Sequence, residues 1–176
     1  MPQSKMTDDR FWALIDQART GSHASASPQR LTRVLEALSS GEIQDFNRAF
    51  HEKLRDLNLW RLWGAGYVIS GGMGDDEFDY FRSWIIGKGK AVFEVALTNP
   101  DELAPFVDTR EVDNEGLGYV PMEALKKRGI KEDPRYPSDL SADGEPEGEP
   151  FDEDTVAASF PKLSRAVDRL GAECRE

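Results

Sequence analysis

Apolar residues recur along this chain at steps of three and four, the spacing that lines one face of a helix. The first run opens at Thr7, a good N-cap, followed by Asp8 and Asp9 where the positive end of a helix favours carboxylates. Phe11, Ile15 and Ala18 fall on one stripe, Trp12 and Leu14 widen it, and Thr20-Gly21-Ser22 ends the pattern. Ser27-Pro28 supplies a cap and a first-turn proline for a second helix with Leu31, Val34, Leu35 and Leu38 on its apolar face. A third carries Ile43, Phe46, Phe50, Leu54 and Leu57, close to an ideal amphipathic stripe.

The fourth segment, LWRLWGAGYVIS (59–70), has only Arg61 and Ser70 as clearly polar residues. A helix apolar nearly all round predicts a central, buried one, although Tyr67-Val68-Ile69 alone would also suit a buried strand. Each Gly in a helix interior costs about 1 kcal/mol against Ala, so Gly64, Ala65 and Gly66 point to a close backbone approach. After the break at Ser70-Gly71-Gly72-Met73-Gly74, Asp75-Asp76 opens a fifth helix, with Phe78, Phe81, Trp84 and Ile85 inward and Gly87 and Gly89 at its end. A short sixth helix, Lys90 to Leu97, turns Val92, Phe93 and Leu97 inward; residues 105–118 read mostly as loop; Met122 to Lys127 is a short helix. A last helix carries Leu163, Ala166, Val167 and Leu170. Strand signals are almost absent. The expected fold is all-α, a single compact multi-helix domain over residues 7–170.

Composition narrows the function classes. The 176 residues carry 22 Lys and Arg against 33 Asp and Glu, a net charge of −11. That argues against a nucleic-acid binder, which needs positive surface, and against docking on anionic lipid. The start has no apolar signal core, and the run from Leu62 to Ile69 is too short to span a bilayer, so the expected location is cytoplasmic. The single cysteine, Cys174, forms no internal disulfide, and no disulfide-linked oligomer is expected. Between Asp139 and Asp154 lie eight carboxylates and no Lys or Arg. Its SADGEPEGEP core holds nothing large and apolar to offset ordering entropy, which predicts a mobile acidic loop within the domain; a lure for a basic partner is the other reading.

The stretch LWRLWGAGYVISGGMGDDEFDYFRSWIIGKGKAVFEVALTNPDELA resembles the core of the bacterial domain-of-unknown-function family number 4240. DDRFWALIDQAR resembles that family's start, and GYVPMEALKKRG and FPKLSRAV its later blocks, so the likeness runs from Asp8 to Val167. It implies a compact helical domain and brings no activity or cofactor with it.

The candidate chemistry concentrates between the fourth and fifth helices. The Gly-Gly-Met-Gly turn lacks a Gly-Lys-Ser/Thr ending and is followed by two aspartates that would repel phosphate. Asp75, Asp76, Glu77 and Asp79 could meet a hard cation, but no second ligand helix is evident, and neither a metal nor a cofactor is expected. A buried Arg61 would need a carboxylate, for which Asp76 or Asp79 is the natural partner; otherwise Arg61 or Arg82 clamps an anionic ligand. Trp60, Trp63, Tyr67, Tyr80 and Trp84 concentrate aromatics nearby, as in cores or binding pockets. His51 and His23 read as surface residues. The candidate ligand residues are therefore Arg61, Trp63, Tyr67, Asp76, Tyr80 and Arg82, with catalytic residues unassigned. Three functions stay open: a non-enzymatic interaction or regulatory module with an unknown protein partner, a small-molecule-binding protein or enzyme using a cleft near Arg61, Asp76, Tyr80 and Arg82, and an acidic immunity-like inhibitor of a basic partner.

Overall fold

A computed structural model describes residues 5–137 and 143–173. Among the described residues eight α-helices follow one another: α1 (Asp8–Gln17), α2 (Pro28–Glu36), α3 (Ser40–Asp56), α4 (Trp60–Ser70), α5 (Asp75–Gly87), α6 (Lys90–Thr98), α7 (Glu115–Lys127) and α8 (Pro161–Glu173). Short 3-10 helices cover Pro100–Phe106 and Val156–Ser159. The all-α reading holds: Leu59 and Glu147 make one isolated bridge, with no other strand pairing among the described residues. None of these helices is long and apolar enough to cross a membrane.

The helix starts follow the local chemistry. Thr7 accepts a hydrogen bond from the Arg10 amide at 3.2 Å and Ser27 from Arg30 at 3.3 Å. Ser39 and Glu42 cap α3 reciprocally, the Ser39 amide donating to the Glu42 carboxylate at 2.8 Å. At the end of α4, Gly71 takes φ 74°, and the Gly71 and Gly72 amides both reach the Tyr67 carbonyl. The cap of α5 is Gly74 rather than Asp75, its amide held by the Glu77 carboxylate.

One apolar core unites the helices. The α3 stripe of Ile43, Phe46, Phe50, Leu54 and Leu57 is fully buried, and Phe11 stacks on Phe46 with centroids 4.9 Å apart. α7 packs on α2, α3 and α5, while α8 lies on α4 and the first 3-10 helix. Asp101 caps α8, accepting from the Lys162 and Leu163 amides. Gly66 is where α4 and α5 close on each other: a Cβ there would sit 2.6 Å from Met73 Sδ and 2.8 Å from Phe81 Cδ1.

Several local expectations change. α7 begins at Glu115, not Met122, and runs through Pro121. Proline and the glycines at 116 and 118 read as breakers, but burial of Leu117, Val120, Leu125 and Pro121 itself outweighs their propensity cost. Leu97 lies at the surface, and Ala96 takes its inward place. α4 is less central than its composition suggests: Leu62, Ala65 and Ile69 are buried, while Trp60, Trp63, Tyr67 and Val68 stay half-buried at its rim. His51 is 2% exposed, not a surface residue, because it follows Asn47 by one turn on a face that the 131–136 segment covers.

The described part of the acidic stretch, residues 143–154, is a loop, as expected; residues 139–142 and Cys174 lie outside the described residues. What composition did not reveal is its set of polar ties from Asp143 onward. Asn58 Nδ2 donates to the Gly144 carbonyl at 3.2 Å, the Glu147 amide to Asn58 O at 2.9 Å, and the Trp60 amide to Glu147 O at 2.9 Å. Phe151 then packs on the α4 aromatics, 5.3 Å from Tyr67 and 6.3 Å from Trp60 and Trp63.

Candidate functional site

α5 presents Asp79 and Arg82 at successive turns after the adjacent Asp75 and Asp76, on its side toward the acidic loop. The deepest of these is Arg82, whose guanidinium is buried. Nη1 donates to the Leu54 carbonyl at 2.7 Å and to Asp143 Oδ2 at 3.0 Å, and Nη2 donates to Asp79. Asp143 also accepts from Arg55 Nε at 3.3 Å, so one loop carboxylate bridges α3 and α5. Phe78 lies against the guanidinium, 5.2 Å from its carbon to the ring centre, and Arg82 Nε has no hydrogen-bond partner among the described residues. Burial pushes the Asp79 carboxyl above its usual range in spite of Arg82 beside it.

Above this network lies an open cleft of about 290 Å³, lined by Trp60 and Trp63, by Asp75, Asp76, Asp79 and Arg82, and by loop residues 144–146. Trp60, Trp63 and Phe78 form a ladder of nearly parallel rings, each 4.9 Å from the next. Trp63 Nε1 is fixed by the Met73 carbonyl at 2.9 Å. Asp75, Asp76 and Glu145 are exposed and take part in no ion pair among the described residues, whereas the one cation of the cleft is already shared between Asp79 and Asp143.

Of the six candidate residues, Trp63, Asp76 and Arg82 come together here. Arg61 does not. It is exposed on another side of α4 and hydrogen-bonds Asn99 Oδ1 at 3.2 Å, so it is not the partner of Asp76 or Asp79. It lines a separate hollow with Gly64, Phe151 and Phe160. Tyr67 turns to Glu153, donating to its carboxylate at 3.2 Å. Tyr80 faces the start of α7; burial, followed by Glu115 and Tyr119, pushes its phenol up to about 12. The successive positions 79, 80, 81 and 82 point around the whole helix, which is why adjacency in sequence scattered these groups. Sequence reasoning missed Asn58, Phe78 and Glu145 as cleft residues and Asp143 as the bridge. Only the excess of acids in the loop hinted at the last two.

Behind the network, the His51 ring lies 6.1 Å from Tyr136. Burial draws its imidazole down to about 4; Arg55 and Arg82 act in the same direction, against Asp143 and Glu132.

The model of a protein family of unknown function, DUF4240, matches residues 6–127. The chain belongs to that family. The DUF4240 match ends with α7, so α8 and its FPKLSRAV block, which the resemblance had included, lie beyond it. The cleft therefore combines helices of the DUF4240 region with a loop that follows it. No curated protein and no solved structure matches the chain.

Proposed function

We propose that this protein is a non-enzymatic interaction module whose cleft between α4, α5 and the acidic loop takes Lys or Arg side chains of a basic partner protein. The observation that carries the reading is the set of exposed carboxylates Asp75, Asp76 and Glu145, outside any ion pair among the described residues, beside the indoles of Trp60 and Trp63. Carboxylates with indole surface suit an ammonium or guanidinium group. Arg82 does not compete, since its charge is spent on Asp79 and Asp143. The net charge of −11 would steer a basic partner toward the cleft and repel acidic ones. A cytoplasmic inhibitor of a basic enzyme is one form such a module takes.

The test is titration of a Lys/Arg-rich peptide, followed by calorimetry and Trp fluorescence. Saturable binding that weakens with salt is expected. Exposed pairs contribute about 0.5 kcal/mol each, so the triple variant Asp75→Asn, Asp76→Asn, Glu145→Gln should bind roughly tenfold more weakly. Equal affinity of the variant, or no binding by the native chain, would refute the proposal.

A further inference from the structure

A second cavity, of about 230 Å³, lies on the far side of α3, between that helix and the segment 131–136. Its walls have a different chemistry from the cleft above. α3 contributes Gln44, Asp45, Asn47 and Arg48; the segment contributes Lys131, Asp133, Arg135 and Tyr136. In a chain with a net charge of −11, three cations here face two carboxylates. Both carboxylates are engaged: Asp45 holds Arg48 at 2.7 Å, and Asp133 holds Arg135 at 2.7 Å. Arg135 draws the Asp133 carboxyl down to about 2, which keeps that pair ionised. Tyr136 is clasped between Arg55 and Arg135, with guanidinium carbons 5.4 and 5.6 Å from its ring centre.

Two groups in the cavity are left over. The Lys131 ammonium is exposed and enters no ion pair among the described residues. Asn47 is 3% exposed, and its Oδ1 has no hydrogen-bond donor among the described residues. A buried amide oxygen without a donor is a cost that native proteins relieve with a partner. The two leftovers call for opposite things, an acceptor with negative charge for Lys131 and a donor for Asn47.

We propose that this cavity binds a small anion of the hydrogenphosphate type, one whose oxygens meet Lys131 and the outer N–H groups of Arg48 and Arg135, and whose own O–H donates to Asn47. Sulfate is the matched control, because it has the same shape and charge sign but no proton to donate. The site is independent of the acidic cleft, so its test stands or falls apart from the function proposed above.

The experiment titrates inorganic phosphate, and separately sulfate at equal ionic strength, into the full chain while amide chemical shifts are followed. Phosphate should give saturable shifts at residues 44–48 and 131–136, and sulfate should bind at least about tenfold more weakly. Lys131→Ala, at an exposed position, should keep the native spectrum and lose the saturation; Asn47→Leu should remove the preference for phosphate over sulfate. No saturable shift with phosphate, equal affinity for the two anions, or full phosphate binding by Lys131→Ala would each overturn the proposal.

Discussion

Arg61 on α4 and Arg82 on α5 look alike in sequence, each a cation set among aromatics and glycines. The structure treats them as opposites. Arg61 lies in water with one hydrogen bond to Asn99, and the helix would lose little without it. Arg82 is 1% exposed and joins α5 to α3 through Leu54, to its own helix through Asp79 and to the acidic loop through Asp143. The lesson is that a buried charge owes its place to partners far along the chain. For Arg82 the decisive partner is 61 residues away, in the segment that composition alone makes look least structured.

The largest test of that contrast removes the inner arginine. Arg82→Ala strands Asp79 and Asp143 in a protein interior and should cost about 3–5 kcal/mol in denaturant unfolding. A loss as small as that of a surface residue would dissolve the distinction between the two sites. Arg82→Ala combined with Asp143→Ala should recover part of the cost, since fewer buried charges remain unpaired.

Acid should weaken the same inner region. His51 titrates near 6.5 when unfolded but is held at about 4 in the folded chain. The unfolded state therefore takes up a proton first, so His51's stabilising share is whole above pH about 6.5 and fades as pH falls toward 4. The full effect is at most about 3 kcal/mol. Unfolding midpoints of the native chain and His51→Leu across this window isolate it: the variant should show a flatter pH dependence.

The two faces of α4 offer a sharper, smaller comparison. Gly66 faces α5 so closely that Ala there must displace Met73 and Phe81, which should destabilise by about 1–3 kcal/mol. Gly64 faces the C-terminal segment with its nearest neighbour, Val156 Cγ2, 3.1 Å from an added Cβ. There the better helix propensity of Ala, about 1 kcal/mol, offsets the crowding, so Gly64→Ala should change the melting point much less. The order reversed would mean that the C-terminal segment, not α5, packs more tightly on α4. Last and smallest, Arg61→Ala should stay within about 0.5 kcal/mol of the native chain, as surface changes do.

Much of the helical framework was legible because its signals are local. The caps at Thr7 and Ser27 and the stripe from Ile43 to Leu57 depend on residues within a turn or two of each other. α7 was only half legible, since Gly116, Gly118 and Pro121 are locally unfavourable and the burial that rescues them comes from α2, α3 and α5. Of the six candidate residues, only Trp63, Asp76 and Arg82 share the cleft. Rotation about the two helices sends Arg61, Tyr67 and Tyr80 elsewhere.

The sequence by itself determined the all-α class, most helix boundaries and the inward stripe of each long helix, because hydrogen bonding and side-chain periodicity within a helix are matters of neighbouring residues. Only the tertiary structure decided which arginine is buried, that His51 is enclosed, and that Asp143 of the acidic loop closes the network on Arg82. Those outcomes depend on distant segments meeting. A charge or an imidazole has no environment until they do, and its burial, partners and acidity follow from that meeting.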